Sequence, residues 1–270
     1  MNRYNLSKRL DKVANLAEPA AFLVDIGCDH GFLAIDLVRS GKIKKALCTD
    51  INEGPLKRAK EHIKEYCLEE SIDTCLSDGL LAIKDQADKY EFDTATICGM
   101  GGMMGVKIIF EADVFFRRMK CFYLQLQSDI ELVRIFLEKS GYEILFEDMV
   151  LEDSKYYTVM KVRNKDDSGR RYFEDTDYDS LPYRLKEIYD SLDMTECLKY
   201  KYPYYDGMDK EIYESFLVFL INKYGKIRSY LPDDSDRIPV IKKELEVMNM
   251  AYKDYLINTG ETDNESQRDL

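Results

Sequence analysis

One stretch sets the terms for the rest of the chain: Phe-Leu-Val-Asp-Ile-Gly-Cys-Asp-His-Gly-Phe-Leu, residues 22–33. An apolar run ends at Asp25-Ile26-Gly27, a tight glycine turn follows, and Phe32, Leu33, Ile35, Leu37 and Val38 open a helix. A buried parallel strand feeding a helix through such a turn begins a nucleotide-binding α/β sheet. The turn also excludes a ligand class. A dinucleotide fingerprint needs a second glycine two residues after the first, so that backbone can lie against a pyrophosphate. That position is Asp29, whose carboxylate would repel phosphate. The turn suits an adenosine without a phosphate.

The pattern downstream repeats the unit. Before the first strand, Leu6, Leu10, Val13, Ala14 and Ala17 form one helical face, with Asn5 as the expected N-cap. This helix should pack on the sheet edge or cover the ligand site. A second strand, Ala46–Thr49, ends at Asp50, and Asn52 and Pro55 start a helix running to about Tyr66. The third strand, near Ile72–Leu76, ends in Ser77-Asp78-Gly79. The fourth, Asp93–Cys98, runs into Gly99-Met100-Gly101-Gly102 and another helix. The fifth, Cys121–Gln127, is followed by a helix that stops at Gly141, then by extended stretches over Tyr142–Val150 and Lys155–Val162. Strand and helix alternate and a hairpin closes, which is the seven-stranded Rossmann-like sheet of class I methyltransferases, its last strand antiparallel. Right-handed crossovers bring Asp25, Gly27, Asp50, Asp78 and Gly99 to one rim of that sheet.

Past residue 163 the character changes. Residues 164–207 are rich in Asp and Tyr with weak periodicity, and read as a connector with one helix around Tyr183–Leu192. Residues 208–258 read as an antiparallel helical hairpin of helices over 208–230 and 236–258, with Ile212, Phe216, Phe219, Leu220 and Tyr224 setting the period of the first and Ile241, Leu245, Met248 and Tyr252 that of the second. Leu231-Pro232-Asp233-Asp234 makes the turn, and 259–270 reads as a disordered tail. The expected domains are therefore 1–163, a connector 164–207, the hairpin 208–258 and the tail.

A net charge of −12 argues against a general nucleic-acid binder. The charge is uneven: residues 1–64 hold 12 Lys/Arg against 8 Asp/Glu, and residues 164–270 hold 16 against 24. Basic residues cluster at Lys8, Arg9 and Lys12, at Lys42, Lys44 and Lys45, and at Lys57, Arg58, Lys60 and Lys64. Each cluster alone is a solvated helix face; together they allow an RNA-facing surface with Lys8, Arg9, Lys57 and Arg58 as candidates. Seven cysteines without a Cys-x-x-Cys, and only two histidines, favour reduced thiols in a cytoplasmic protein over disulfides or a metal. No run approaches a membrane span, and no signal peptide is read at the N-terminus.

Asp50 has the acceptor pairs to bond two ribose hydroxyls, against the plainer reading of a helix-capping carboxylate. Asp78 can accept from an adenine amino group, although Ser-Asp-Gly turns are common. Gly27 and Gly31 let backbone approach an amino-acid moiety whose ammonium Asp25 could reach. S-adenosylmethionine has these parts. His30 reads equally as a site residue or as a capping or packing histidine. The loop at Gly99-Met100 lies where an acceptor would sit. It has no carbonyl acceptor side chain of the kind that activates an exocyclic amine, and it equally suits a generic turn. A ring nitrogen such as adenine N1 carries an in-plane lone pair and needs positioning more than activation. Its product is cationic, so Asp29 can stabilise the transition state.

Leu6-Ser7-Lys8-Arg9-Leu10, Asp25-Ile26-Gly27-Cys28-Asp29-His30, Asn52-Glu53-Gly54-Pro55, Asp78-Gly79 and Gly99-Met100-Gly101-Gly102 resemble the bacterial tRNA (adenine(22)-N1)-methyltransferase family over about residues 6–163. The resemblance implies a Rossmann-like catalytic domain with a C-terminal coiled-coil pair. It also implies methyl transfer from S-adenosylmethionine to adenine N1 in tRNA; in-line attack without a covalent enzyme intermediate, no metal and a monomeric chain are further expectations. It implies cofactor contacts at Asp25, Gly27, Asp50, Asn52, Asp78 and the Gly99 loop, to which Cys28, Gly31, Ile51, Gly79 and Cys98 are adjoined. Asp29, His30, Phe32, Gly99 and Met100 are the expected catalytic-side residues. The chain departs from the family pattern at Phe32 (Tyr expected), Ala34 (Pro expected) and Gln127-Ser128-Asp129 (Gln-Pro-Asn expected). A methyltransferase for a protein or small molecule, and a non-catalytic cofactor-binding scaffold, are the competing readings.

Overall fold

The first strand, β1 (Ala20–Ile26), is buried over its last four residues, as a strand covered on both faces must be. A computed structural model describes residues 6–86, 89–165, 172–173 and 175–260. The chain divides into two compact units, Met1–Glu187 and Ile188–Leu270.

In the first unit α1 (Lys8–Leu16) precedes β1, and α2 (Phe32–Arg39), β2 (Ile43–Asp50), α3 (Glu53–Glu65) and β3 (Ile72–Leu76) follow. A short 3-10 turn, Leu81–Gln86, stands where a full crossover helix would lie before β4 (Thr94–Met100). Then come α4 (Gly102–Glu111), α5 (Asp113–Phe116), β5 (Cys121–Leu126), α6 (Ile130–Lys139), β6 (Tyr142–Glu152) and β7 (Lys155–Asn164). The sheet order is β3-β2-β1-β4-β5-β7-β6, with β7 antiparallel to both its neighbours. Order reverses between β1 and β4, so the carboxyl ends of β1, β2, β3 and β4 share one rim beside the switch point.

The helix α1 packs its Val13 and Ala14 inward, as the sequence pattern requires. Its N-cap is Ser7, whose side chain accepts from the Leu10 N–H at 3.4 Å; the expected cap, Asn5, lies outside the described residues. A buried carboxylate, Asp148 on β6, pairs with Lys12, and the Lys8 N–H donates to Glu152 at 2.5 Å. Arg134 on α6 forms a second buried ion pair with Glu147 of β6. The helix α1 is thus tied to the sheet by charge as well as by apolar burial.

The region expected to be an irregular connector is largely helical. Two helices, α7 (Leu181–Ser191) and α8 (Met194–Lys201), occupy it, and the boundary between units falls within α7. The second of them was legible in principle: Asp193 and Glu196 form a reciprocal capping box at its start. Helices α9 (Lys210–Tyr230) and α10 (Ile238–Thr259) form the expected hairpin. Its seam differs from the sequence reading. Tyr213 and Leu217 are the buried residues of α9, whereas Phe219, expected on the inner face, is 46% exposed. The seam is set by the hydroxyl anchors that aromatic periodicity does not encode: Tyr213 donates to the Tyr202 carbonyl at 2.6 Å and Tyr255 to the Lys210 carbonyl at 3.2 Å. Thr259 is the last helical residue and Gly260 its left-handed cap; 261–270, read as a disordered tail, lie outside the described residues. Among the described residues no helix is long and apolar enough to cross a membrane.

Candidate active site

A cavity of about 470 Å³ opens on the rim where the first four strands end. The turn after β1 forms its floor. Gly27 and Gly31 both take positive φ, +67° and +72°. A side chain at Gly27 would collide with the Met100 methyl, and one at Gly31 would press on Ala59 of α3. Gly31 is therefore a packing glycine at the start of α2, while Gly27, Cys28, Asp29, His30 and Phe32 line the cavity. Two bonds from β2 fix the turn: Cys28 N–H to the Thr49 carbonyl at 2.9 Å, and Asp29 N–H to Asp50 Oδ2 at 3.4 Å.

Asp25, Asp50 and Asp78 meet in this cavity although 53 residues separate the first from the last. Asp25 is buried and accepts from the Thr96 hydroxyl at 2.7 Å. Burial lifts its pKa to about 6 against the lowering influence of Thr96 and the Ala34 backbone, with a further upward push from Asp50. A carboxylate so placed is a seat for a cationic amine. Asp50 accepts from Asn52 N–H at 2.9 Å through one oxygen and from Asp29 N–H through the other. It is thus a turn-capping carboxylate as well as a cavity wall, and each oxygen keeps a second lone pair for a hydroxyl donor. Asp78 accepts from the Lys107 ammonium at 3.0 Å, which raises the lysine's pKa and leaves the other carboxylate oxygen for a ligand. Ile51, Asn52 and Gly79 complete this side, Ile51 with 62% of its surface exposed. Asn52 starts α3 without capping it through its side chain.

The end of β4 closes the other side through Cys98, Gly99 and Met100; the strand, expected to stop at Cys98, continues to Met100 and is bulged at Gly99. It is no generic flexible loop. Gln125, buried in β5, accepts from the Gly99 N–H at 3.1 Å, and Gln127 donates to the Gly99 carbonyl at 3.0 Å. Ser128 Oγ accepts from the Gly102 N–H at 3.3 Å. A Cβ on Gly102 would run into the Ser128 carbonyl, so this glycine is demanded by backbone approach. The Gln127-Ser128-Asp129 departure from the family pattern is consequently part of the clamp on the loop.

His30 is both a cavity-lining and a packing residue. It lines the cavity, its ring stacks on Phe32 at 5.4 Å, and its carbonyl accepts from His62 Nδ1–H at 3.0 Å. Phe32 stacks in turn on His62 at 4.6 Å. The sequence reading missed Gln125, Thr96, Lys107 and His62. Thr96 and Gln125 are polar residues inside strands buried on both faces, the one signal that points to them. Of the expected RNA-facing residues, Lys8, Lys57 and Arg58 are exposed, while Arg9 lines the cavity instead. Among the described residues no group of His, Cys, Asp and Glu is arranged to hold a metal.

A seven-stranded sheet of this order, with carboxylates at the ends of its first three strands and a glycine bulge at the end of the fourth, is the architecture of class I methyltransferases. The chain belongs to the methyltransferase-domain family, whose model matches residues 6–160. It is 33% identical over 160 residues to the tRNA (adenine(22)-N(1))-methyltransferase of Bacillus subtilis, a match that spans 59% of this chain and 66% of that protein. The fold is shared with the Mycoplasma capricolum protein TrmK bound to S-adenosyl-homocysteine, at a TM-score of 0.71 and 24% identity over 92% of this chain and 98% of that one. It is shared equally with the B. subtilis m1A22 tRNA methyltransferase TrmK, at 0.68 and 23% over 92% and 99%.

Proposed function

We propose that the chain methylates N1 of adenine 22 in tRNA, using S-adenosylmethionine and acting as a monomer in the cytoplasm. The observation that carries this reading is the convergence of Asp25, Asp50, Asp78 and the Gly99 turn on one cavity of a single chain. The 33% identity to a named tRNA (adenine(22)-N(1))-methyltransferase supplies the substrate.

The donors and acceptors present fit the cofactor. Asp50 suits the ribose diol, Asp78 the adenine amino group, and Asp25 the ammonium, which would relieve a carboxylate whose burial and Asp50 neighbour both disfavour its charge. When bound, S-adenosylmethionine supplies an electrophilic methyl group on a sulfonium. The acceptor base would enter beside Phe32, Gly99 and Met100, where the clamped loop orients it and His30 and Phe32 offer an aromatic surface for stacking. Asp29, largely exposed at the mouth, offsets the positive charge that develops on the base. The exposed Lys8, Lys57 and Arg58 serve the tRNA backbone.

Unmodified tRNA transcripts incubated with the protein and S-adenosylmethionine, then digested for nucleoside mass spectrometry, test the reading. It requires 1-methyladenosine, lost on Asp50→Ala and on Asp78→Ala. Bound cofactor with no methylated nucleoside on any tRNA would sink the substrate assignment.

A further inference from the structure

Asp78, at the end of the third strand, is held from behind the cavity. Its turn is fixed locally: Ser77 N–H donates to the Asp50 carbonyl at 2.9 Å, Leu81 N–H to the Asp78 carbonyl at 3.0 Å, and Ala82 N–H to Ser77 Oγ at 3.1 Å. The same turn lies hard against α4. Gly79 takes a φ of +57°, and a Cβ there would stand 3.2 Å from the Ile108 side chain. One residue before Ile108, Lys107 donates its ammonium to Asp78 Oδ2 at 3.0 Å. Met104 and Ile108 of α4 line the cavity, and Lys107 between them does not. The lysine therefore takes one carboxylate oxygen from the protein side and leaves Oδ1 to the cavity.

Lys107 is itself fixed by the chain that follows the sheet. The Tyr178 ring centroid lies 5.8 Å from the ammonium, and the Tyr178 hydroxyl donates to the Met103 carbonyl at 3.3 Å. Tyr178 stands just ahead of α7, in a stretch closed by the Ser180 N–H bond to Asp177 at 2.9 Å and the Leu181 N–H bond to the Tyr178 carbonyl at 3.1 Å. Glu111, one turn along α4, stands 4.0 Å from the same ammonium. Asp78 above all, and then Glu111 and Tyr178, push the lysine's pKa up, and burial opposes them. An ammonium on a four-carbon stem is mobile unless it is partnered on several sides. Here three partners face a side chain that is only 22% exposed.

We propose that Lys107, held by Tyr178, is a positioning residue that gives the cavity its preference for adenine over a purine without the amino group. The inference rests on the cofactor reading above, and it gives the segment between the sheet and α7 a part in choosing the ligand. Asp78 is 36% exposed, so without the lysine its carboxylate turns freely and must be ordered when a ligand binds. With Oδ2 already bonded to Lys107, Oδ1 meets an N–H donor without that cost. A carboxylate oxygen accepts from an amino group and has no bond to offer a bare C–H.

Two ligands titrated calorimetrically into the full chain test this: S-adenosylhomocysteine, and its analogue with purine in place of adenine. The wild type should prefer the adenine ligand by about 30-fold, the scale of a hydrogen bond to a charged group. Lys107→Met should cut that preference about fivefold, the scale of ordering one side chain, by weakening S-adenosylhomocysteine alone. Unchanged affinity for the purine analogue also reports that the variant is folded. Tyr178→Ala should cut the preference about twofold, since Lys107 then keeps Asp78 but loses one of its own partners. Equal weakening of both ligands by Lys107→Met is the mark of a merely structural lysine and overturns the inference, as does an unchanged preference. A preference that Tyr178→Ala leaves intact overturns the part given to the segment before α7. A wild type that binds both ligands equally overturns the inference through Asp78 and leaves the cofactor reading standing, whereas a wild type that binds neither overturns both.

Discussion

The turn after β1 and the bulged end of β4 face each other across the cavity, and they are held by different chemistry. The first is bonded to the end of β2, through the Thr49 carbonyl and the Asp50 carboxylate. The second is bonded to neutral side chains, Gln125, Gln127 and Ser128. One half of the site is framed by charge and the other by amides and a hydroxyl. The charged frame suits a ligand with fixed hydroxyl, amine and ammonium groups. The neutral frame fixes a loop's shape while leaving the local field open to a base that turns cationic during reaction.

The sharpest way to break this contrast is steric. Gly102→Ala should cost about 3 kcal/mol or more in guanidinium unfolding, because its Cβ meets the Ser128 carbonyl and the Val133 side chain, where neither can yield cheaply. Gly99→Ala, three residues earlier, should cost only about 1–2 kcal/mol, since open space surrounds it and only its positive φ of +77° is strained. Equal losses would mean that the loop is not clamped.

The charged frame is tested by pH. Asp25 has a folded pKa raised from 3.8 to about 6, so it favours the folded state fully below 3.8, and that contribution is lost as pH rises through 6. Asp25→Asn keeps the acceptor for Thr96 and removes the titration. It should therefore match the wild type near pH 4 and exceed it by about 2 kcal/mol at pH 8 in the absence of ligand. It should also lose most affinity for S-adenosylhomocysteine. A variant that gains no stability at pH 8 would show that the buried charge is compensated elsewhere.

The smallest effect should come from Ser128→Ala. The lost bond to the Gly102 N–H, at 3.3 Å, is worth about 0.5–1 kcal/mol in unfolding. Methyl transfer should suffer more than cofactor affinity, measured as a fall in kcat with unchanged binding of S-adenosylhomocysteine.

The contrast between the turns also explains what could be read without coordinates. The charged frame announces itself because each carboxylate stands within two residues of the end of an apolar run, so Asp25, Asp50 and Asp78 fall on the rim once strand order is inferred. The neutral frame does not. Gln125 lies 26 residues beyond Gly99 inside a strand, where only the parallel pairing of β4 with β5 reveals its partner. Arg9 escaped for a related reason: a cationic cluster on an amphipathic helix looks the same whether its guanidinium meets solvent or a cavity. The helix α8 was hidden by its Tyr-rich surroundings, although its capping box was written in the sequence.

In the C-terminal unit, the rings of Tyr204, Tyr213 and Tyr255 lie within 6 Å of one another, and two hydroxyl bonds join them to the Tyr202 and Lys210 carbonyls. They cluster where α9 begins and α10 ends, the open end of the hairpin, and its turn at 231–235 carries no such cluster. Under tension applied through the two free ends, the hairpin peels from that side. The tyrosines would therefore meet the load first, ahead of the buried Val247 and Ile241 that lie nearer the turn.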